Sequence, residues 1–157
     1  MEFKMNEIGY IEKNFGEEKI RLNKEYKEGL TGLKGFSHII VIWWANKTQD
    51  IDMGLVLDSP YKNGPDKIGI FATRTQIRPN PICISVMDIK EIDFQNGTIS
   101  THYIDAEDKT PILDIKPYTP SSDRVRTISV PDWCSHWPQN TEESGYFDWA
   151  AEFNFEE

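Results

Sequence analysis

Cysteine is scarce in this chain of 157 residues: only Cys83 and Cys134 occur, and neither belongs to a close pair. A disulfide framework is thereby excluded, together with the paired-cysteine redox and zinc motifs, and a reduced, cytoplasmic chain is the expectation. Long apolar runs are lacking too, and the start, "MEFKMNEIGYIEK", has early acidic residues in place of an apolar signal segment. Neither a membrane span nor secretion is indicated. There is no Walker sequence and no GxGxxG, so the common nucleotide cradles are unsupported. His38, His102 and His136 show no H-x-x-x-H spacing, and Cys134-x-His136 needs further ligands from afar, so no metal is expected. Ser37 beside His38 does not make a triad, because neighbours on a strand face opposite ways.

Basic residues also run out. From Asp132 to Glu157 there are seven carboxylates and no Lys or Arg, and this stretch carries most of the net charge of −9. Spread evenly, that charge would argue against a polyanionic partner. Residues 1–131 instead hold 17 basic against 19 acidic residues, close to balance.

What is present is a globular composition with 12% aromatic residues and the length of a single domain, here 1–157, with 130–157 as an acidic tail docked on it. "NEIGYIE" at 6–12 and "EKIRL" at 18–22 predict a hairpin turning at Asn14 and Gly16. Residues 23–33 predict a short, imperfect helix capped by Asn23 and weakened by Gly29 and Gly32. "SHIIVIWWA" at 37–45 is continuously apolar and predicts a strand buried on both faces. A long polar loop follows over 46–67, then strands at 68–73, 82–92 and 98–104, the last two joined across Asn96-Gly97. "ILDIKPY" at 112–118 alternates as a further strand, and Phe147, Ala150, Ala151 and Phe155 approach helical spacing. The fold class is mainly β: a small closed or nearly closed β-barrel with short peripheral helices.

Two stretches carry candidate chemistry. In "GIFATRTQIRPNPICISV" at 69–86, Arg74 and Arg78 precede Pro79 and Pro81, which bias Arg78 and Asn80 to extended backbone. Four extended residues separate the two guanidinium groups by roughly 13 Å, so they need not grip one group. A stiff basic loop suits a preorganised anion site, although surface pairing with the many carboxylates explains arginines equally simply. In "DAEDKTPILDIKPYTPSSD" at 105–123, Asp105, Glu107 and Asp108 end a strand, and Asp114 and Lys116 share a strand face. These carboxylates suit ribose hydroxyls or an ammonium, or merely a solvated turn.

Together with "GLKGFSHIIVIWW" at 32–44, those two blocks resemble, in order and spacing, the signatures of the TrmO-like (YaeB/VirR) methyltransferase family over most of residues 30–125. The resemblance implies a β-barrel that binds S-adenosylmethionine, usually as a homodimer, with members that methylate N6 of threonylcarbamoyladenosine in tRNA. Carried over by position, the cofactor contacts are Asn46, Lys47, Arg74, Ile84, Asp105, Ala106, Glu107 and Asp108. Asp108 and Lys116 are the candidates for acceptor alignment or proton handling, and Arg78 for meeting the acceptor. Asn46 stands where the family commonly has His, and the family's Pro-Arg-Gln segment between the first two strands is missing. That loss and the acidic charge weigh against tRNA as the partner. They leave open a methyltransferase acting on a small molecule or protein, and a non-catalytic S-adenosylmethionine-binding regulatory module.

Overall fold

A computed structural model describes residues 4–154. The chain divides into two compact units, the first comprising Met1–Asp50 and Pro79–Arg124, the second Ile51–Arg78 and Val125–Glu157.

The first unit is built on one antiparallel sheet. Its strands are β1 (Gly9–Asn14), β2 (Glu17–Leu22), β3 (His38–Trp44), β6 (Ile82–Asp88), β7 (Glu91–Asp93), β8 (Thr98–Thr101) and β9 (Pro111–Pro117), in the order β6-β3-β9-β1-β2-β8-β7. The intervening β4 (Val56–Asp58) and β5 (Lys67–Gly69) belong to the second unit. β1 and β2 form the expected hairpin, turning through Phe15 and Gly16, both at positive φ (46° and 84°), as a two-residue hairpin turn requires. The second expected hairpin, β7 to β8, closes at Asn96-Gly97, where the Asp93 carboxylate accepts from both the Asn96 backbone amide (2.9 Å) and its side chain (2.7 Å). Residues Lys24–Leu30 form a 3-10 helix; Asn23, expected to cap it, instead donates its side-chain amide to the Glu7 carbonyl.

The mainly β class holds, but the ladders do not close into a barrel: the sheet ends at β6 and β7. Those two edges are successive parts of one stretch that bends at Ile89 and Lys90, where Ile89 N–H donates to Ser37 and Lys90 N–H to Ser100. Asp88 fastens the bend. Its carboxylate accepts from the Thr101 hydroxyl (2.9 Å) and the His102 amide (3.1 Å) and pairs with the His102 ring. Burial alone would raise this carboxyl, but those hydrogen bonds outweigh it and hold it below the usual carboxylate range.

Inside the sheet lie Ile11, Ile20, Ile39, Val41, Met87, Ile99 and Ile112, all essentially inaccessible. β3 is not buried on both faces as its composition suggested. Ile39, Val41 and Trp43 point inward, while His38, Ile40, Ile42 and Trp44 are half-buried on the other side. Gly9 sits where β1 pairs with both Leu22 and Ile112, and a Cβ there would lie 2.2 Å from the Arg21 carbonyl oxygen. Only glycine lets the backbones approach so closely.

In the second unit, the stretch expected as an unbroken loop contains β4 (Val56–Asp58), paired with β5 (Lys67–Gly69), and Ile70–Ala72 turns as a 3-10 helix where the strand was expected to continue. The C-terminal segment packs on this hairpin region through a bridge between Tyr61 and Phe153 and through the Lys62 and Asn154 amides, which donate to the Glu152 and Pro60 carbonyls. Tyr61 stacks on Trp133 (5.1 Å) and meets Trp137 edge-on (5.2 Å). The tail's helical spacing yields only the short turns α2 (Thr141–Ser144) and Trp149–Ala151; Phe155 lies outside the described residues.

Two outcomes follow for stability. Gly9→Ala forces β1 and β2 apart and is expected to destabilise the protein by about 3 kcal/mol or more in urea unfolding, the upper end of the cost of overpacking because no flexible side chain can yield. Because the Asp88 carboxyl is depressed in the folded state, its contribution is complete above the unfolded value of about 3.9 and disappears as pH falls through the folded value. Asp88→Asn should therefore flatten the acid limb of a stability-against-pH curve.

Candidate functional site: a pinned acidic segment

The loop from β8 to β9 alternates in burial. Ile104, Ala106 and Thr110 are buried, while Asp105, Glu107, Asp108 and Lys109 are exposed. Two apolar anchors thus hold the backbone down and turn three carboxylates outward. The β1-β2 hairpin fixes the rest: the Lys13 amide donates to Asp108 Oδ1 (2.9 Å), Lys13 Nζ to the Ile104 carbonyl (2.8 Å), and the Ile104 amide to Glu18 Oε2 (2.6 Å). Further along, the Lys109 amide donates to the Ile11 carbonyl (2.8 Å) and the Ile11 amide to that of Thr110 (3.0 Å). Lys109 takes the left-handed backbone (φ 64°) that this turn demands. Lys13 pairs with Glu18 at 3.2 Å, so one cross-strand pair of the hairpin grips both ends of residue 104.

This clamp was not anticipated, although a signal existed. Once Phe15 and Gly16 are taken as the turn residues, Lys13 and Glu18 face each other across the hairpin.

Lys47, in the turn after β3, forms an ion pair with Glu107, bringing together two of the residues singled out as cofactor contacts. Its neighbour Asn46 is exposed, and the turn is held by Ala45 N–H donating to the Pro81 carbonyl (2.8 Å). Tyr103 stands beside the segment, its hydroxyl 3.4 Å from Asp105 Oδ1; burial first, and the Asp105 charge second, raise that phenol above its ordinary value. Ile84 lies on the outer face of β6, 50% exposed.

Lys116 is placed elsewhere on the first unit. It pairs with Asp114 at 2.7 Å, and that hydrogen bond and charge raise its ammonium above the ordinary lysine value. Such a group offers a fixed positive charge rather than a proton acceptor. Asp108 is held by Lys13, so the two candidates for proton handling engage different partners.

The arginines belong to the second unit. Arg78 Nη1 donates toward the carbonyls of Ile70 (3.4 Å), Thr73 (3.1 Å) and Thr75 (3.3 Å), and its guanidinium lies over the Phe71 ring at 6.0 Å. This side chain therefore organises the loop that precedes it. The Arg74 side chain is exposed, while its backbone amide serves the Tyr61 hydroxyl. Among the described residues, no three His, Cys, Asp or Glu side chains gather to hold a metal ion, and no helix is long and apolar enough to cross a membrane.

Fold and segment together define a small antiparallel β protein with a rigid, solvent-facing carboxylate loop next to a lysine. Residues 10–124 match the tRNA-methyltransferase O N-terminal domain. The chain belongs to that family. It is 34% identical over 134 residues to a probable S-adenosyl-L-methionine-binding protein of Pyrococcus abyssi, covering 83% of this chain and 68% of that one. It is 30% identical over 115 residues to the tRNA (adenine(37)-N6)-methyltransferase of Escherichia coli, covering 72% of this chain and 47% of the enzyme. TrmO from Pseudomonas aeruginosa, of known crystal structure, superposes with a TM-score of 0.63 at 27% identity, over 82% of this chain and 62% of its own. The chain thus spans less than two thirds of that TrmO and about half of the E. coli enzyme.

Removing the clamp gives a direct test of its role. Glu18→Ala leaves the Ile104 amide and Lys13 without their carboxylate and should cost about 1 to 3 kcal/mol. Hydrogen exchange is expected to accelerate at 103–110 and not at β3; equal acceleration in both would show that the hairpin does not specifically hold the loop.

Proposed function

We propose that this chain binds S-adenosylmethionine and transfers its methyl group to N6 of adenine 37 in tRNA, the finer acceptor being the threonylcarbamoyl form of that base. The observation that carries the reading is the segment 105–108, anchored by Ile104 and Ala106 and tied to the β1-β2 hairpin, which is the family's acidic cofactor segment by position.

Its donor set fits the cofactor. Asp105 and Glu107 offer acceptors for ribose hydroxyls and an ammonium, and Lys47 offers a cation for a carboxylate. Asn46, Ile84, Ala106 and Arg74 are assigned to the same cofactor by family position alone. When bound, S-adenosylmethionine supplies an electrophilic methyl group on a sulfonium. The work left to this chain is orientation: a loop already held rigid aligns donor and acceptor with little further loss of freedom. Asp108 suits acceptor alignment or receipt of the N6 proton, and Lys116, kept charged by Asp114, suits a phosphate or other anion of the substrate. Arg78 is retained as an acceptor contact only through whichever of its donors Ile70, Thr73 and Thr75 do not engage.

We further propose a homodimer. Its support is the outer face where Ile40, Ile42 and Trp44 of β3 pair with Val86, Ile84 and Ile82 of β6, six apolar residues in register on the edge strand β6 and its neighbour. The bend at Ile89 and Lys90 supports reading the first unit as a barrel closed through the chain itself, and the few cysteines support a cytoplasmic setting. The net charge of −9 favours one rival, transfer to a small molecule or protein.

Isothermal titration should detect S-adenosylmethionine binding that Arg74→Ala weakens by about tenfold, the worth of one charge-assisted hydrogen bond. Labelled methyl should then pass to tRNA lacking the N6 methyl. An absence of cofactor binding would sink the proposal; cofactor binding without labelling of tRNA would move the acceptor to the rival class.

A further inference from the structure

Beyond the matched residues 10–124, the C-terminal segment forms an open surface depression of about 500 Å³ within the second unit. Trp137, Phe147, Tyr146 and His136 give it aromatic walls, and Pro138, Glu143, Ser135 and Gln139 complete the lining. Three of these rings are held in place by their neighbours. The Trp137 indole N–H donates to Glu152 Oε2 (3.1 Å), and its ring packs edge-on against Trp133 and Trp149, each at 5.3 Å. Phe147 is held by Trp149 at 4.9 Å and His136 by Glu152 at 3.0 Å. On the opposite side, the Asn140 side chain caps the Glu143 amide (2.9 Å) and so sets α2, which carries Glu143 on one rim, with Tyr146 just beyond it. Tyr146 is 94% exposed, an aromatic ring with almost no cover.

Charge decides what such a depression takes. The segment from Asp132 onward has seven carboxylates and neither Lys nor Arg, so an anion is repelled and a cation attracted. A hard, strongly hydrated metal ion is ill served by aromatic faces. An alkylated ammonium loses little hydration and gains contact with ring faces, with a carboxylate close by. The geometry points to a binding site for a small organic cation with an alkylated ammonium group, seated among Trp137, Phe147 and Tyr146 and neutralised by Glu143.

Choline is a suitable probe, with its uncharged carbon isostere 3,3-dimethylbutan-1-ol as the control, each titrated into the full chain and followed by the Trp137 indole N–H resonance. Saturable choline binding is expected in about the millimolar range, with the alcohol at least about fivefold weaker. Glu143→Gln should weaken choline by about threefold and leave the alcohol unchanged, and Tyr146→Ala, at a position too exposed to support the fold, should weaken both. No saturation below about 50 mM choline, equal affinity for the alcohol, or indifference to both substitutions overturns the assignment.

Discussion

One bend in the chain carries the organisation of the first unit. The stretch that runs through β6 and β7 turns at Ile89 and Lys90, and so a single segment supplies both edges of a seven-stranded sheet. An antiparallel sheet left with two unrelated edges exposes rows of unpaired amides and carbonyls, a liability that proteins must cover or close. Here the two edge strands are consecutive in sequence, and Asp88 locks the turn between them with a depressed carboxyl that draws on Thr101 and His102. In the middle of the sheet, where β1 lies between β2 and β9, Gly9 lets the backbones come close.

The acidic loop inherits its rigidity from that framework. Because β1 and β2 are central in the sheet, Lys13 is laddered to Glu18, and Glu18 in turn to Thr101 of β8, before they reach the loop. Glu18 is spent on the Ile104 amide and Lys13 on the Ile104 carbonyl, leaving Asp105 and Glu107 to face solvent. Polar groups that satisfy buried backbone and those that remain for a ligand are thus separated residue by residue along the same few positions.

Much of this was legible in the residues. Asn96-Gly97 and the turn signals Asn14 and Gly16 marked both hairpins, and the alternation in "ILDIKPY" marked β9. Where the sequence misled, the cause was local. β4 has only three residues, too few for a period to show among Pro and Gly, and the strand begun at β5 gives way to a 3-10 turn at Ile70. β3 is apolar on both faces, yet only one of them lies in the core, because apolar composition does not distinguish a covered face from an outward one. In the tail, Trp149 and Phe153 joined an aromatic cluster around Tyr61 instead of a helix face. At the site, the segment 105–108 was recognised by type and order, but the pairing of Lys47 with Glu107 spans 60 positions, and that of Lys13 with Asp108 spans 95. Such partners become neighbours only through strand order, which periodicity does not encode.

The cluster in the second unit has an optical consequence. Trp133, Trp137 and Trp149 stand in series with ring centres 5.3 Å apart and steeply inclined planes. Indoles so close share their excited states, so their transitions mix into exciton pairs with rotational strength of opposite sign. The far-ultraviolet dichroism of this protein therefore carries an aromatic couplet on top of its backbone signal. The part of its amplitude that comes from these three indoles follows the packing of the C-terminal segment.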